Sequence, residues 1–74
     1  MRIGELAERA GVTTKTLRFY EQAQVLPRPA RTASGYRDYD ETSIARLRFV
    51  RAAQAAGLSL AEIRTVITVR EDQG

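Results

Sequence analysis

The chain has no cysteine and no histidine among its 74 residues. Without cysteine there is no disulfide and no thiolate metal site, and without histidine the commonest general base and the commonest metal ligand are both gone. Catalysis is therefore not expected. Glu5, Glu8, Glu21 and Glu62 stand where helix solvation and capping explain them better than acid–base chemistry. Long apolar runs are missing too: none approaches the ~20 residues needed to span a bilayer. Met1 leads straight into an amphipathic pattern, with no signal-peptide core, so the protein is expected in the cytoplasm, with no membrane partner and no cofactor.

Acid is scarce in one half only. Residues 1 to 37 carry seven Lys or Arg against three Asp or Glu, a net +4, whereas residues 38 to 74 carry five against six, a net −1. A basic face beside a near-neutral scaffold fits a nucleic-acid partner. At 74 residues the chain makes one small domain, and domains of that size bury only about 60 % of their unfolded surface.

The basic half contains GVTTKTLRFYE, Gly11 to Glu21. Gly11 accepts a positive φ without Cβ strain and so ends one helix and turns the chain. Thr13 is a capping residue for the next helix, its hydroxyl placed to accept from an N–H of the first turn. At ~100° per residue, Leu17 falls on one side of that helix with Thr13, Tyr20 and Glu21 around it. Lys15, Phe19 and Gln22 fall opposite, with Thr16 and Arg18 at the margins. Such a helix suits a major groove, which admits one helix and presents acceptors and thymine methyls. A merely solvated basic helix has the same wheel. What precedes it separates the two: Ala7, Gly11 and Leu17 have the spacing of a helix-turn-helix, and Ile3, Leu6, Ala7 and Ala10 form the apolar face of its first helix.

Beyond Glu21, Pro27 and Pro29 stop helical continuation. RTASG, Arg31 to Gly35, is turn-forming, and YRDY, Tyr36 to Tyr39, has the aromatic enrichment of a short strand. The expected arrangement is a two-stranded hairpin in which Val25-Leu26 pairs near Tyr36 to Tyr39 and the Arg28 to Gly35 loop projects as a wing. Arg28, Arg31 and Arg37 are phosphate-binding residue types, and Tyr36 can donate to a phosphate oxygen, while Tyr39 is expected to join the core.

Asp40 is placed to cap a third helix, in which Ile44, Leu47, Val50 and Ala53 recur every three residues with Phe49 and Ala56 alongside, until Gly57. Arg46, Arg48 and Arg51 form its wet face. Ser59-Leu60-Ala61-Glu62 is a capping box for a fourth helix, expected to bury Leu60, Ile63, Val66 and Ile67 and to end near Val69. The fold class is mainly α: a winged helix-turn-helix of four helices with a small two-stranded β-hairpin wing. Its parts are the helix-turn-helix over 3–22, the wing over 25–39 and the supporting helices over 41–69, within one domain of residues 1–74.

Three blocks in order, IGELAERAGVTTKTLRFYE, LPRPARTASGYRDYDE and LRFVRAAQAAGLSLAEI, closely resemble the N-terminal DNA-binding domain of the MerR family of bacterial transcription regulators. The resemblance implies that the second helix enters the major groove of double-stranded DNA and the wing grips the adjacent backbone. It further implies that Lys15, Thr16 and Arg18 read base edges and that Thr13, Thr14, Phe19 and Tyr20 make backbone or apolar contacts. In the wing, Arg31, Tyr36 and Arg37 are implied to hold phosphates. Members bind a palindrome as homodimers and bend and untwist an over-long promoter spacer, so that RNA polymerase, an indirect partner, engages both promoter elements. The family usually has Gly-Leu after the second helix. Here Gln24-Val25 stands there, so a non-glycine residue is expected in a left-handed turn at a cost of roughly 1 kcal/mol.

The family continues into a pairing helix and an effector domain that this sequence does not reach. The 74-residue chain alone is therefore expected to be mainly monomeric and to act as one part of a longer regulator on the nucleoid. The alternatives are a short accessory or architectural DNA binder resembling an excisionase and, from another class, a basic helical module for an acidic protein.

Overall fold

The computed structural model describes residues 1–29 and 31–73. Ala30, inside the expected wing, and Gly74, at the end of the expected domain, lie outside the described residues. Four helices follow in order: α1 (Ile3–Ala10), α2 (Thr14–Gln22), α3 (Glu41–Ala55) and α4 (Leu60–Gln73). α1 packs on α2 and on α3, and α3 packs on α4, so α1 and α3 form the centre of the domain.

Local chemistry sets most helix boundaries. Gly11, at a φ of 70°, closes α1 by donating its N–H to the carbonyls of Ala7 and Glu8. Thr13 caps α2, its hydroxyl accepting from the Thr16 N–H at 3.1 Å. Asp40 caps α3 by accepting from the Thr42 N–H at 2.9 Å, and the Thr42 hydroxyl and N–H hold its carboxyl below the usual range. At α4 the capping box is closed in both directions: Glu62 N–H donates to the Ser59 hydroxyl at 3.1 Å and Ser59 N–H to the Glu62 carboxylate at 2.9 Å.

One core joins all parts, with Leu6, Leu17, Val25, Leu26, Tyr39, Leu47, Val50 and Ile63 essentially inaccessible to solvent. Val25 and Leu26 correct an expectation. They are not the first strand of a hairpin but core residues, and the Val25 N–H is used up on the Tyr20 carbonyl at 3.1 Å. The wing is closed further along by an isolated antiparallel bridge between Arg31 and Arg37, and no strand forms among the described residues. Two prolines deprive the first arm of donors, and its two apolar residues are worth more in the core than in a ladder.

α4 departs from expectation as well. It runs to Gln73 rather than stopping near Val69, tied to α3 by an Arg46–Glu71 ion pair at 3.1 Å and by the Arg70 guanidinium 5.3 Å from the centre of the Phe49 ring. Ile63 and Ile67 are buried and Leu60 half-buried, but Val66 and Val69 face solvent. Among the described residues no helix is long and apolar enough to cross a membrane.

Candidate nucleic-acid interface

α2 divides its residues as the wheel does. Leu17, Tyr20 and Glu21 are buried, while Thr14, Lys15, Arg18, Phe19 and Gln22 are exposed, Phe19 at 53 %. An exposed aromatic ring is ordinary by itself; here it shares the outer face of α2 with exposed cations. Lys15 and Arg18, also exposed, both lie on one side of it, within the preceding turn. Thr13 is committed locally: its hydroxyl donates to the Thr16 hydroxyl at 3.0 Å while capping the Thr16 N–H. Thr13 therefore braces the start of α2, while the Thr16 hydroxyl, an acceptor in that bond, keeps its own O–H.

Tyr20 is turned inward, 6 % exposed, its phenol donating to the side-chain oxygen of Gln54 on α3 at 2.8 Å. This corrects the contact role implied by the family resemblance. The wheel had already placed Tyr20 beside Leu17, and burial follows from that position. Glu21 is a second correction. Assigned from sequence to helix solvation, its side chain is only 2 % exposed. One carboxylate oxygen accepts from the Arg37 guanidinium at 2.9 Å and the other from the Tyr39 phenol at 2.7 Å. A buried carboxylate survives only when so paired and bonded. The neighbouring Tyr39 phenol, and then the Glu21 charge, keep Arg37 more firmly protonated than usual. Burial, and then the bond to Glu21, push the Tyr39 phenol up from its ordinary value.

This hub fixes the wing against the end of α2. The loop is shaped by Thr32 N–H donating to the Tyr36 carbonyl at 2.8 Å and Gly35 N–H to the Thr32 carbonyl at 2.9 Å, with Gly35 at a φ of 86°. Arg31 is exposed, one guanidinium nitrogen resting on the Gly35 carbonyl at 3.2 Å. Tyr36 is 39 % exposed. Arg28 is exposed at the approach to the wing. The structure thus brings Arg18, Tyr36 and Arg37 to one cleft and leaves Lys15 and Phe19 on the outer face of α2.

One further cation stands at that cleft. The guanidinium of Arg2 lies 4.0 Å from the centre of the Tyr36 ring. Nothing in the local sequence marks Arg2, because its position depends on the first residue pairing with the end of the wing: Tyr39 N–H donates to the Met1 carbonyl at 2.7 Å. Among the described residues there is no group of three or more acidic residues arranged to hold a metal ion.

Comparison with known proteins places these features in a family. The family model for MerR HTH family regulatory proteins matches residues 1–69. The transcriptional regulator ZntR of Escherichia coli K12 is 45 % identical over 71 residues, covering 96 % of this chain and 50 % of the relative. Among solved structures, the transcription regulator PbrR691 from Ralstonia metallidurans CH34, in complex with lead(II), superposes with a TM-score of 0.90 at 42 % identity, covering 99 % of this chain and 57 % of that one. HiNmlR, a MerR family regulator lacking the sensor domain and bound to promoter DNA, gives a TM-score of 0.79 at 28 % identity, over 88 % of this chain and 52 % of that one. The chain spans about half the length of the curated relatives it matches. With the match running unbroken through the helix-turn-helix, the wing and the supporting helices, this chain belongs to the MerR HTH family of regulatory proteins.

Proposed function

We propose that the chain is a sequence-specific double-stranded DNA-binding unit of a bacterial transcription regulator, non-enzymatic, acting in the cytoplasm on the nucleoid. The observation that carries the reading is the outer face of α2, where Lys15, Arg18 and Phe19 stand exposed on a helix whose opposite face is buried. α2 enters the major groove. There Lys15 and Arg18 donate to base-edge acceptors, and Phe19 packs on thymine methyls or sugar. Thr14 at the open first turn, with Arg31, Tyr36 and Arg37 of the wing, takes backbone phosphates, which position the protein without reading sequence. Thr16, whose O–H is not used in its bond with Thr13, donates to a base edge beside Lys15 and Arg18, and Thr13 holds the first turn of α2 in shape.

Two such units on a palindrome, joined in a homodimer, hold α2 and wing on both sides of a promoter spacer and bend and untwist it, so that RNA polymerase engages both promoter elements. Specificity then includes the deformability of base pairs that no side chain touches. The HiNmlR structure on promoter DNA supports this reading by analogy.

Selection of duplexes from a random pool, followed by fluorescence anisotropy across a salt series, tests it. One enriched sequence is expected, preferred over its scrambled version even at salt that suppresses nonspecific binding. Equal affinity for both at every salt concentration overturns sequence-specific recognition. End-to-end energy transfer across a promoter spacer bound by two units joined as a dimer checks distortion: an unchanged end-to-end distance overturns that part.

A further inference from the structure

We propose that Arg2, Tyr36 and Arg37 form a seat for a backbone phosphodiester in the cleft between α2 and the wing, with Arg2 a phosphate ligand in its own right. The proposal rests on the DNA-binding reading above and adds to it a residue that neither the helix-turn-helix pattern nor the wing pattern contains.

The cleft holds about 170 Å³ and is lined by Arg2, Ile3, Arg18, Tyr36, Arg37 and Tyr39. Three of these six are arginines and none is acidic. Arg37 keeps one nitrogen on Glu21 at 2.9 Å with its side chain still 28 % exposed. Arg18, exposed on α2, is the third arginine of the lining. Arg2 is exposed and lies against the ring of Tyr36 at 4.0 Å. A guanidinium stacked on a ring uses its face, and the fork of N–H donors in its plane stays available for the two oxygens of one phosphate. Stacking also holds the side chain in one place before a ligand arrives, reducing the rotamer freedom lost on binding. Tyr36 adds a phenol donor at the rim.

Position is supplied by the backbone. The pairing of the Met1 carbonyl with Tyr39 N–H at 2.7 Å lays the start of the chain beside the end of the wing. Met1 nitrogen reaches Asp38 at 2.8 Å. Asp38 is thereby engaged by the terminal ammonium and does not line the cleft. Arg2 is thus delivered to the cleft that also holds Arg18 of α2 and Tyr36 and Arg37 of the wing, the elements given to DNA in the reading above.

The test is anisotropy of the intact chain on a mixed-sequence duplex and on the selected duplex over a salt series, with Arg2→Gln, Arg2→Lys and Arg70→Gln. Arg70 is also an arginine beside an aromatic ring, but it lies on α4 and does not line the cleft. Arg2→Gln is expected to weaken binding to both duplexes alike, roughly tenfold at low salt. It should also reduce the slope of log K against log salt by about one counterion. Arg2→Lys should restore the slope and only part of the affinity, because a lysine neither stacks nor forks as arginine does. Arg70→Gln should leave the slope unchanged. An unchanged slope for Arg2→Gln overturns the proposal, as does an equal reduction for Arg70→Gln, which would make the effect one of net charge. Failure of the unsubstituted chain to bind any duplex overturns the DNA-binding reading itself and the seat with it. Unaltered thermal melting of Arg2→Gln, an exposed position, confirms that folding is not what is being read.

Discussion

The two ends of α2 are held in opposite ways. At its start every constraint is local: Gly11 turns the chain, Val12 N–H donates to the Ala7 carbonyl at 3.0 Å, and Thr13 caps the Thr16 N–H at 3.1 Å. At its end the constraints come from far along the chain. Tyr20 bonds Gln54, 34 residues on, and Glu21 bonds Arg37 and Tyr39, 16 and 18 residues on. The difference separates two jobs. The start sets whether a helix forms, which a helix-turn-helix settles within itself. The end sets where the wing lies relative to that helix, and so whether base-edge and phosphate contacts can be made together.

The largest expected effect breaks the far end. Glu21→Ala leaves the buried Tyr39 phenol without its acceptor, while Arg37 can turn to water, and should cost about 1 to 3 kcal/mol, a sizeable share of the roughly 5 to 15 kcal/mol available to a small domain. Chemical denaturation measures it, and a loss below about 1 kcal/mol would mean the pair behaves as a surface contact. The same hub gives a pH signature. Tyr39 has its pKa raised in the folded state, so its contribution is complete below the unfolded tyrosine pKa of about 10 and is lost as pH rises through the higher folded value. Tyr39→Phe should flatten that alkaline decline.

Comparable in size is a binding effect on the outer face. Arg18→Ala should cost about 1 to 3 kcal/mol on the selected duplex and much less on random DNA. Anisotropy on the two duplexes distinguishes this from the outcome expected of a phosphate ligand, an equal loss on both. Because Arg18 also lines the cleft shared with Arg2 and Arg37, the measurement decides on which side of the boundary between base reading and backbone contact it works.

The same local-versus-distant division explains what could be read from the sequence. Gly11, Thr13, Asp40 and the Ser59–Glu62 box were legible because each motif closes within about four residues, so spacing alone specifies the partners. The burial of Tyr39 and the left-handed Gln24 were legible too, the first from aromatic patterning and the second from a departure at a position where the family has glycine. The hairpin was misread because Val-Leu before two prolines serves equally as a strand or as core, and only the packing of α1 and α3 decides. Glu21 was misjudged for a related reason: a carboxylate on the inner side of a wheel signals burial only if a cation arrives from elsewhere. Arg2 gave no signal, since its neighbour across the cleft is 34 positions away.

A smaller effect tests the near end. Thr13→Ala removes the hydroxyl that caps α2 and should cost about 1 kcal/mol of stability, at the low end of what Glu21→Ala should cost. The melting temperature should fall by several degrees, about 4 to 8 °C per kcal/mol for a domain of this size. A loss equal to that of Glu21→Ala would erase the contrast between the two ends.

The smallest expected effect is that of Gln24→Gly, at one of the two turns that bracket α2. Gly11 and Gln24 share one backbone conformation, with φ of 70° and 64°. A side chain at such a φ costs about 1 kcal/mol through contact between Cβ and the following carbonyl. Gln24 bears that strain with its side chain exposed. Its N–H is bonded to the Glu21 carbonyl at 3.1 Å, so the turn is held by the same residue that holds the wing. Gln24→Gly relieves the strain but gives the unfolded chain more freedom, which offsets part of the gain. The net should be a stabilisation of a few tenths of a kcal/mol, at most about 1. Gly11→Ala should run the other way by about 1 kcal/mol, all of it backbone strain, because a Cβ there meets nothing within 4 Å. Paired denaturation curves with unchanged m-values would establish both shifts. A loss of stability in Gln24→Gly would instead mean that the glutamine side chain contributes to the wing junction, and that the far end of α2 is held by more than Tyr20 and Glu21.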